Sequence, residues 1–202
     1  METTPTAQDF TFNIVHQERY SRGELLLRSF FGFLYIGIPH LFLLLFMNIA
    51  AAVLSLVAWF AILFTGQYPR SFFEFRLGVL RWQTRVYARL FNLSDDYPAF
   101  GSKGSDDKTR VDIVYPQSQS RILLLVRLIF GFIYILIPHG FCLFFRAIAT
   151  YFVVFIAWWA VLITGTYPKG MHDFVTGTFR WGLRVGNYYS YMTDKYPPFS
   201  GK

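Results

Sequence analysis

His40 and His139 are the residues with the widest chemical scope in this chain. Each closes a copy of the same ten-residue block, FGFxYIxIPH, at residues 31–40 and 130–139, and each directly follows a proline. Each lies 12 residues beyond an arginine, Arg28 or Arg127, inside a stretch almost without charge, hence about 18 Å along a helix from that cation. An ionisable group so deep in an apolar segment is a functional-site hypothesis by default. Two of them at one depth could ligate a haem iron or pass protons. The plainer alternative is a neutral imidazole hydrogen-bonded to a carbonyl freed by the adjacent proline, or to the Tyr35 or Tyr134 hydroxyl. The sequence favours that structural role, and no cofactor is expected.

A second group lies near residues 69–92 and 168–190. There Arg81, Arg85 and Arg89 run parallel to an apolar stripe that includes Trp82, and Arg180, Trp181 and Arg184 repeat the pattern. Such a helix reads as interfacial, lying flat on a membrane with its cations offered to anionic lipid headgroups, each adding about 1 kcal/mol. The alternative is generic anchoring and topology control. Nucleic acid is a poor partner despite the formal charge of +7 and a pI near 9.6, because the cations interleave with apolar residues. Glu74 and Asp173 hold matched positions early in these helices, where a carboxylate favours the helix dipole. There is no metal-spaced His/Cys cluster, P-loop, GxSxG or HExxH, so neither a catalytic residue nor a metal site is expected.

The elements that carry these residues are written twice. A gapless offset of 99 residues aligns residues 12–100 with 111–199, through TGxYP, RWxxRV and YPxF, with roughly two pairs in five identical. Residues 101–110, rich in Gly, Ser and charge, read as the linker. Each unit opens on an alternating stretch, FNIVHQERYSR or VDIVYPQSQSR, that suggests an extended segment.

Charge is segregated along each unit. Residues 29–69 carry no Asp, Glu, Lys or Arg, and residues 128–168 carry only Arg146. About 20 apolar residues cross a bilayer, so each run is long enough for two spans. Arg146 is expensive at a bilayer centre and cheap at a helix end, which places a hairpin turn there and at its counterpart Met47. The expected fold is therefore all-α and integral to a membrane. It has four spans, near residues 26–46, 48–66, 125–145 and 147–165, as two parallel repeats of a hairpin followed by an interfacial helix. Under that reading 18 of 19 Lys and Arg residues fall on one face, which the positive-inside rule makes cytoplasmic together with both termini. Pro39 and Pro138 should kink their helices, and Gly66 and Gly165 should stop them. The lone Cys142 excludes an intramolecular disulfide framework.

The paired apolar segment, TGxYP, the RWxxRV helix and the terminal YPxF together resemble a bacterial membrane family catalogued as domain of unknown function 4389, over nearly the whole chain and twice. The resemblance implies a small integral protein of the bacterial cytoplasmic membrane, and it brings no catalytic residue or cofactor with it. The expectation is a non-enzymatic accessory or scaffold subunit of a membrane assembly, in contact with the bilayer, its anionic lipids and other membrane proteins. The alternatives are a lipid or small-molecule carrier with a midplane pocket between the repeats, and a membrane-shaping protein.

Overall fold

The computed structural model of the chain describes residues 9–202. Strand β1 (Phe10–Ile14) precedes a long helix α1 (Arg22–Thr65), followed by α2 (Arg70–Leu90), and the second repeat has β2 (Thr109–Ile113), α3 (Arg121–Thr164) and α4 (Lys169–Tyr189). The opening stretches are strands only at their start, through Ile14 and Ile113, and these strands find each other. β1 and β2 pair antiparallel, with Phe12 opposite Val111, so the only sheet among the described residues is shared by the two repeats.

The expected hairpins are not formed. α1 and α3 are each continuous over 44 residues, straight through Met47–Asn48 and Arg146, so each repeat has one helix long and apolar enough to cross a membrane where two spans were expected. Arg146 needs no helix end because α4 serves it inside the helix. Its Nε donates to the Thr178 hydroxyl at 3.0 Å, and its guanidinium lies 4.4 Å from the Phe174 ring centre. The prolines do not break the helices either. Each is preceded by a five-residue π-helical turn, Phe33–Gly37 or Phe132–Leu136, which widens the ladder where the proline cannot donate.

The ends follow the sequence closely. Ser21 and Ser120 cap the N-termini by accepting from the Glu24 and Leu123 amides. Gly66 and Gly165 end the long helices at φ 75°, a left-handed conformation that glycine adopts without penalty. Pro69 and Pro168 then start α2 and α4.

Each repeat completes the other. Arg22 donates to the Ile163 carbonyl at 2.6 Å and Tyr20 N–H to the Gly165 carbonyl at 2.8 Å. Arg121 and the Gln119 amide do the same for Phe64 and Gly66. An arginine thus sits on the negative end of the opposite helix, where its charge suits the dipole and the orphan carbonyls need donors. The main core lies between the repeats and joins Phe12, Ile14, Leu25, Ala58 and Ile62 to Val111, Ile113, Leu124, Ala157 and Val161.

α2 and α4 pack apolar faces on the long helices. Val79, Trp82 and Val86 lie against Ile36 and Leu44 of α1, and Trp181 and Val185 lie against Ile135 of α3. Thirteen helical steps of α2, from Arg76 to Arg89, reach from Ser55 to Glu24 of α1. That is about 20 Å of rise against about 46 Å if α1 were straight. The difference is absorbed by a bend in α1 together with the reach of the two arginines, and the π turn beside Pro39 supplies the place for the bend.

Candidate functional site

The two histidines occupy matched, fully closed sites. His40 and His139 are both 0% exposed. The Trp82 indole Nε1–H donates to His40 Nδ1 at 2.9 Å, and the Trp181 indole donates to His139 Nδ1 at 3.0 Å. An indole can only donate, so Nδ1 must accept and the ring proton must sit on Nε2. The Phe100 and Phe199 rings stack on the imidazoles, with centres 3.9 Å apart in each case. The last aromatic of the motif set closes the proline defect. The Tyr97 hydroxyl donates to the Tyr35 carbonyl and the Tyr196 hydroxyl to the Tyr134 carbonyl, each at 3.0 Å, four residues before the proline that cannot donate there.

The three recurring motifs therefore build one object. FGFxYIxIPH supplies the π turn, the defect and the imidazole, RWxxRV supplies the indole, and YPxF supplies the hydroxyl and the stacking ring. Chemically this is a lock that pins the C-terminal segment of each repeat onto its long helix. The two histidines do not meet, since each is bound within its own repeat. Nor does either use the tyrosine hydroxyl or the freed carbonyl considered from sequence; the tyrosine of YPxF takes the carbonyl instead. A haem ligand needs an open nitrogen, whereas here Nδ1 is occupied and Nε2 is buried with no partner among the described residues. No group of three or more His, Cys, Asp or Glu gathers at a metal-holding distance among the described residues.

Part of the arginine stripe is turned inward, while Arg81, Arg180 and Arg184 stay half-buried. Arg85 is 3% exposed and donates to the Ala99 and Gly101 carbonyls, the latter at 2.7 Å. Arg89 is 2% exposed and bonds Glu24, the Asp95 carbonyl and, at 3.1 Å, the Tyr35 hydroxyl. Arg81 holds the Val111 carbonyl at 2.9 Å and Asp112 at 3.1 Å. Arg180 and Arg184 likewise hold carbonyls, of Phe12 and Gly201, and of Ser200 and Lys202. Trp82 and Trp181 are committed to the histidines, and the stripe's arginines fasten loops and the shared sheet. Burial lowers the proton affinity of the Arg85 guanidinium, which Asp106 partly restores, and burial lowers that of Arg180 and Arg184 too. Of the two matched carboxylates, Glu74 and Asp173, which lie just beyond the first turns of their helices, Asp173 is paired with Lys169 at 2.7 Å, which holds its pKa below the ordinary carboxylate range.

Arg28 and Arg127, the arginines that precede the histidines by 12 residues, have a role that their spacing does not reveal. Both are buried. Arg28 donates to Asn92 Oδ1 at 2.7 Å, to the Ser94 carbonyl and to Asp95, while Arg127 serves the Tyr188 and Thr193 carbonyls and Asp194. Asn92 and its counterpart Tyr191 stand at φ 61° and 64°, turning the chain at the end of α2 and α4 so that these acceptors face back. The signal that could have found them is the matched acid, Asp95 or Asp194, that follows each turn.

Fold and site define a tandem-repeat helical protein with two long apolar helices and an internal His–Trp–Phe lock in each half. A family model described as Domain of unknown function (DUF4389) matches residues 26–102 and again 121–201, and the chain belongs to that family as two tandem copies. No curated protein and no solved structure matches it.

Proposed function

We propose that this protein is a non-enzymatic membrane-embedded scaffold, an accessory subunit of an assembly in the bacterial cytoplasmic membrane, with its polar layer and termini on the cytoplasmic side. The observation that carries the reading is the outward face of the two long helices. Phe30, Phe33, Phe64, Ile129, Phe141 and Ile163 are each more than 60% exposed, within a far larger set of exposed aliphatic and aromatic side chains on α1 and α3. Exposed apolar area on that scale has no use in water and suits lipid tails or partner helices. The formal charge of +7 adds attraction to anionic lipid.

Membrane shaping is a second reading, supported by the one-sided distribution of apolar surface. The carrier reading has less to stand on. A cavity of about 240 Å³ does lie between the repeats, lined by Phe12, Tyr87, Leu143, Ala147 and Gly182, but the histidines are not in it and it is smaller than common ligand pockets.

Purification of the native protein in mild detergent tests the scaffold. Stoichiometric membrane partners are expected, and recovery of the chain alone as a monomer would sink that reading. Vesicles that tubulate at high protein density would instead favour shaping.

A further inference from the structure

We propose that α1 and α3 lie along a single leaflet and do not cross the bilayer, with α2, α4 and the shared sheet forming the headgroup-side layer. The proposal rests on the membrane reading above and adds how the protein sits. Each long helix bends at its π turn into arms of about 24 and 42 Å, residues 22–37 and 38–65 in α1, so its path of about 66 Å is not one rod across the roughly 30 Å of hydrocarbon.

The outward face gives the same answer. Phe30, Ile38, Leu45, Val53, Phe60 and Phe64 are all exposed and sample one stripe that stays apolar from near the start of α1 to its end. A crossing helix of this length would have to leave the hydrocarbon, and its outward side chains would turn polar there.

The inward face is decisive. It meets polar partners all along: Glu24 meets Arg89, Arg28 meets Asn92, His40 meets Trp82, Asn48 meets Gln83 at 2.8 Å, and Ser55 meets Arg76 at 3.2 Å. α2, which supplies most of these partners, carries Arg70, Glu74, Arg76, Arg81, Arg85 and Arg89. If α1 crossed the membrane, α2 would be drawn into the hydrocarbon with it. Central Arg residues cost about 2.5–3.5 kcal/mol each on insertion scales. In the second repeat Arg146, midway along α3, is bonded to α4 in the same way. Laid in the plane, one layer of helix about 10 Å thick fits one leaflet of about 15 Å, and every one of these charges stays at the headgroup level.

Spin labels on the full chain test this, in a Cys142→Ala background, with Phe30→Cys, Leu45→Cys and Phe64→Cys at the start, middle and end of the stripe and Lys103→Cys as a loop control. Depths come from relaxation by oxygen against a water-soluble nickel chelate in vesicles containing anionic phospholipid. The three stripe positions are expected at one depth to within about 5 Å, on the apolar side of the headgroups. A depth that runs across the midplane from Phe30 to Phe64 would overturn the in-plane placement. Water exposure at all three, equal to that at Lys103, would overturn the membrane reading itself. Polarised infrared dichroism of the unsubstituted protein in oriented bilayers gives an independent answer, with helix axes parallel to the membrane expected and axes along the normal refuting it.

Discussion

The two repeats share a backbone plan and part company in pairs of residues that touch. In the first, Arg89 is buried against Glu24, Asp95 and Tyr35. In the second, Tyr188 and Leu123 hold the matched positions. The Tyr188 hydroxyl lies 3.1 Å from that of Tyr134, and the Arg127 guanidinium sits 4.2 Å from the Tyr188 ring centre. Asn48 and Gln83 bond to each other across α1 and α2, whereas Ala147 and Gly182 replace both and line the apolar cavity. Tyr115 packs on Phe73 at 5.2 Å, and the matched pair is His16 on His172 at 5.0 Å. The lock and the crossed arginine caps are the same in both halves. What is shared therefore carries the architecture, and what differs is free to vary only as a contact at a time.

The largest expected effect breaks the comparison at Arg89. Arg89→Met should destabilise the protein by about 2 kcal/mol, because it leaves the Asp95 carbonyl and the Tyr35 hydroxyl without this donor, while Glu24, 40% exposed, is left to water and Asp95 keeps Arg28 and the Ser21 amide. Tyr188→Phe should cost only about 1 kcal/mol, since it removes one hydroxyl contact. Unfolding in detergent followed by circular dichroism measures both, and equal losses would contradict the asymmetry.

Next comes the lock, where the halves should agree. Trp82→Phe and Trp181→Phe each remove the only donor to a buried imidazole nitrogen, at about 1–3 kcal/mol apiece. Similar values for the two are expected, and a neutral result at either would remove that lock from the account.

The histidine pair separates the halves by pH. His172 is 1% exposed, and burial, with His16 second, pushes its pKa down to about 4. Asp173 and Lys169 oppose each other nearby, the first raising and the second lowering it. A base whose folded pKa lies below its unfolded value takes up its proton mainly on unfolding. Its neutral form supports the fold above about pH 6.5, and that support is lost as pH falls toward 4. The loss should be about 1–3 kcal/mol, and His172→Phe, which copies Phe73, should abolish this part of the acid sensitivity. Titration of the unfolding midpoint in both proteins decides it.

The smallest effect concerns glycines. A Cβ at Gly182 meets nothing within 4 Å, so Gly182→Ala should stabilise α4 by roughly 0.4–1 kcal/mol. At Gly78 a Cβ would lie 2.8 Å from the Ser102 Cβ and 2.9 Å from its carbonyl oxygen, so Gly78→Ala should destabilise. Melting temperatures of the two variants should move in opposite directions.

Much of the fold was legible because it is local. The glycine stops at Gly66 and Gly165 and the extended start of each repeat depend on neighbouring residues, and the structure places them where the patterns do. The hairpin expected at Arg146 is absent because the cost of a cation deep in an apolar segment does not fall on its own helix alone: Thr178 and Phe174, on another helix, hold it. The lock escaped for the same reason. Trp82 lies 42 residues from His40 and Tyr97 lies 62 from Tyr35, and nothing in either segment alone pairs them. Only the joint recurrence of all three motifs in both halves hinted that they belong together.

The crossed caps carry a consequence for ancestry. A chain with one repeat would end its long helix on unserved carbonyls and would hold a single strand with nothing to pair. Two such chains related by a twofold axis could exchange an arginine, an amide and a strand through the contacts that Arg22, Tyr20 and β1 now make with the second half. The present protein thus has the form of a homodimer whose subunits have been joined end to end, and separately expressed halves would be expected to find each other again.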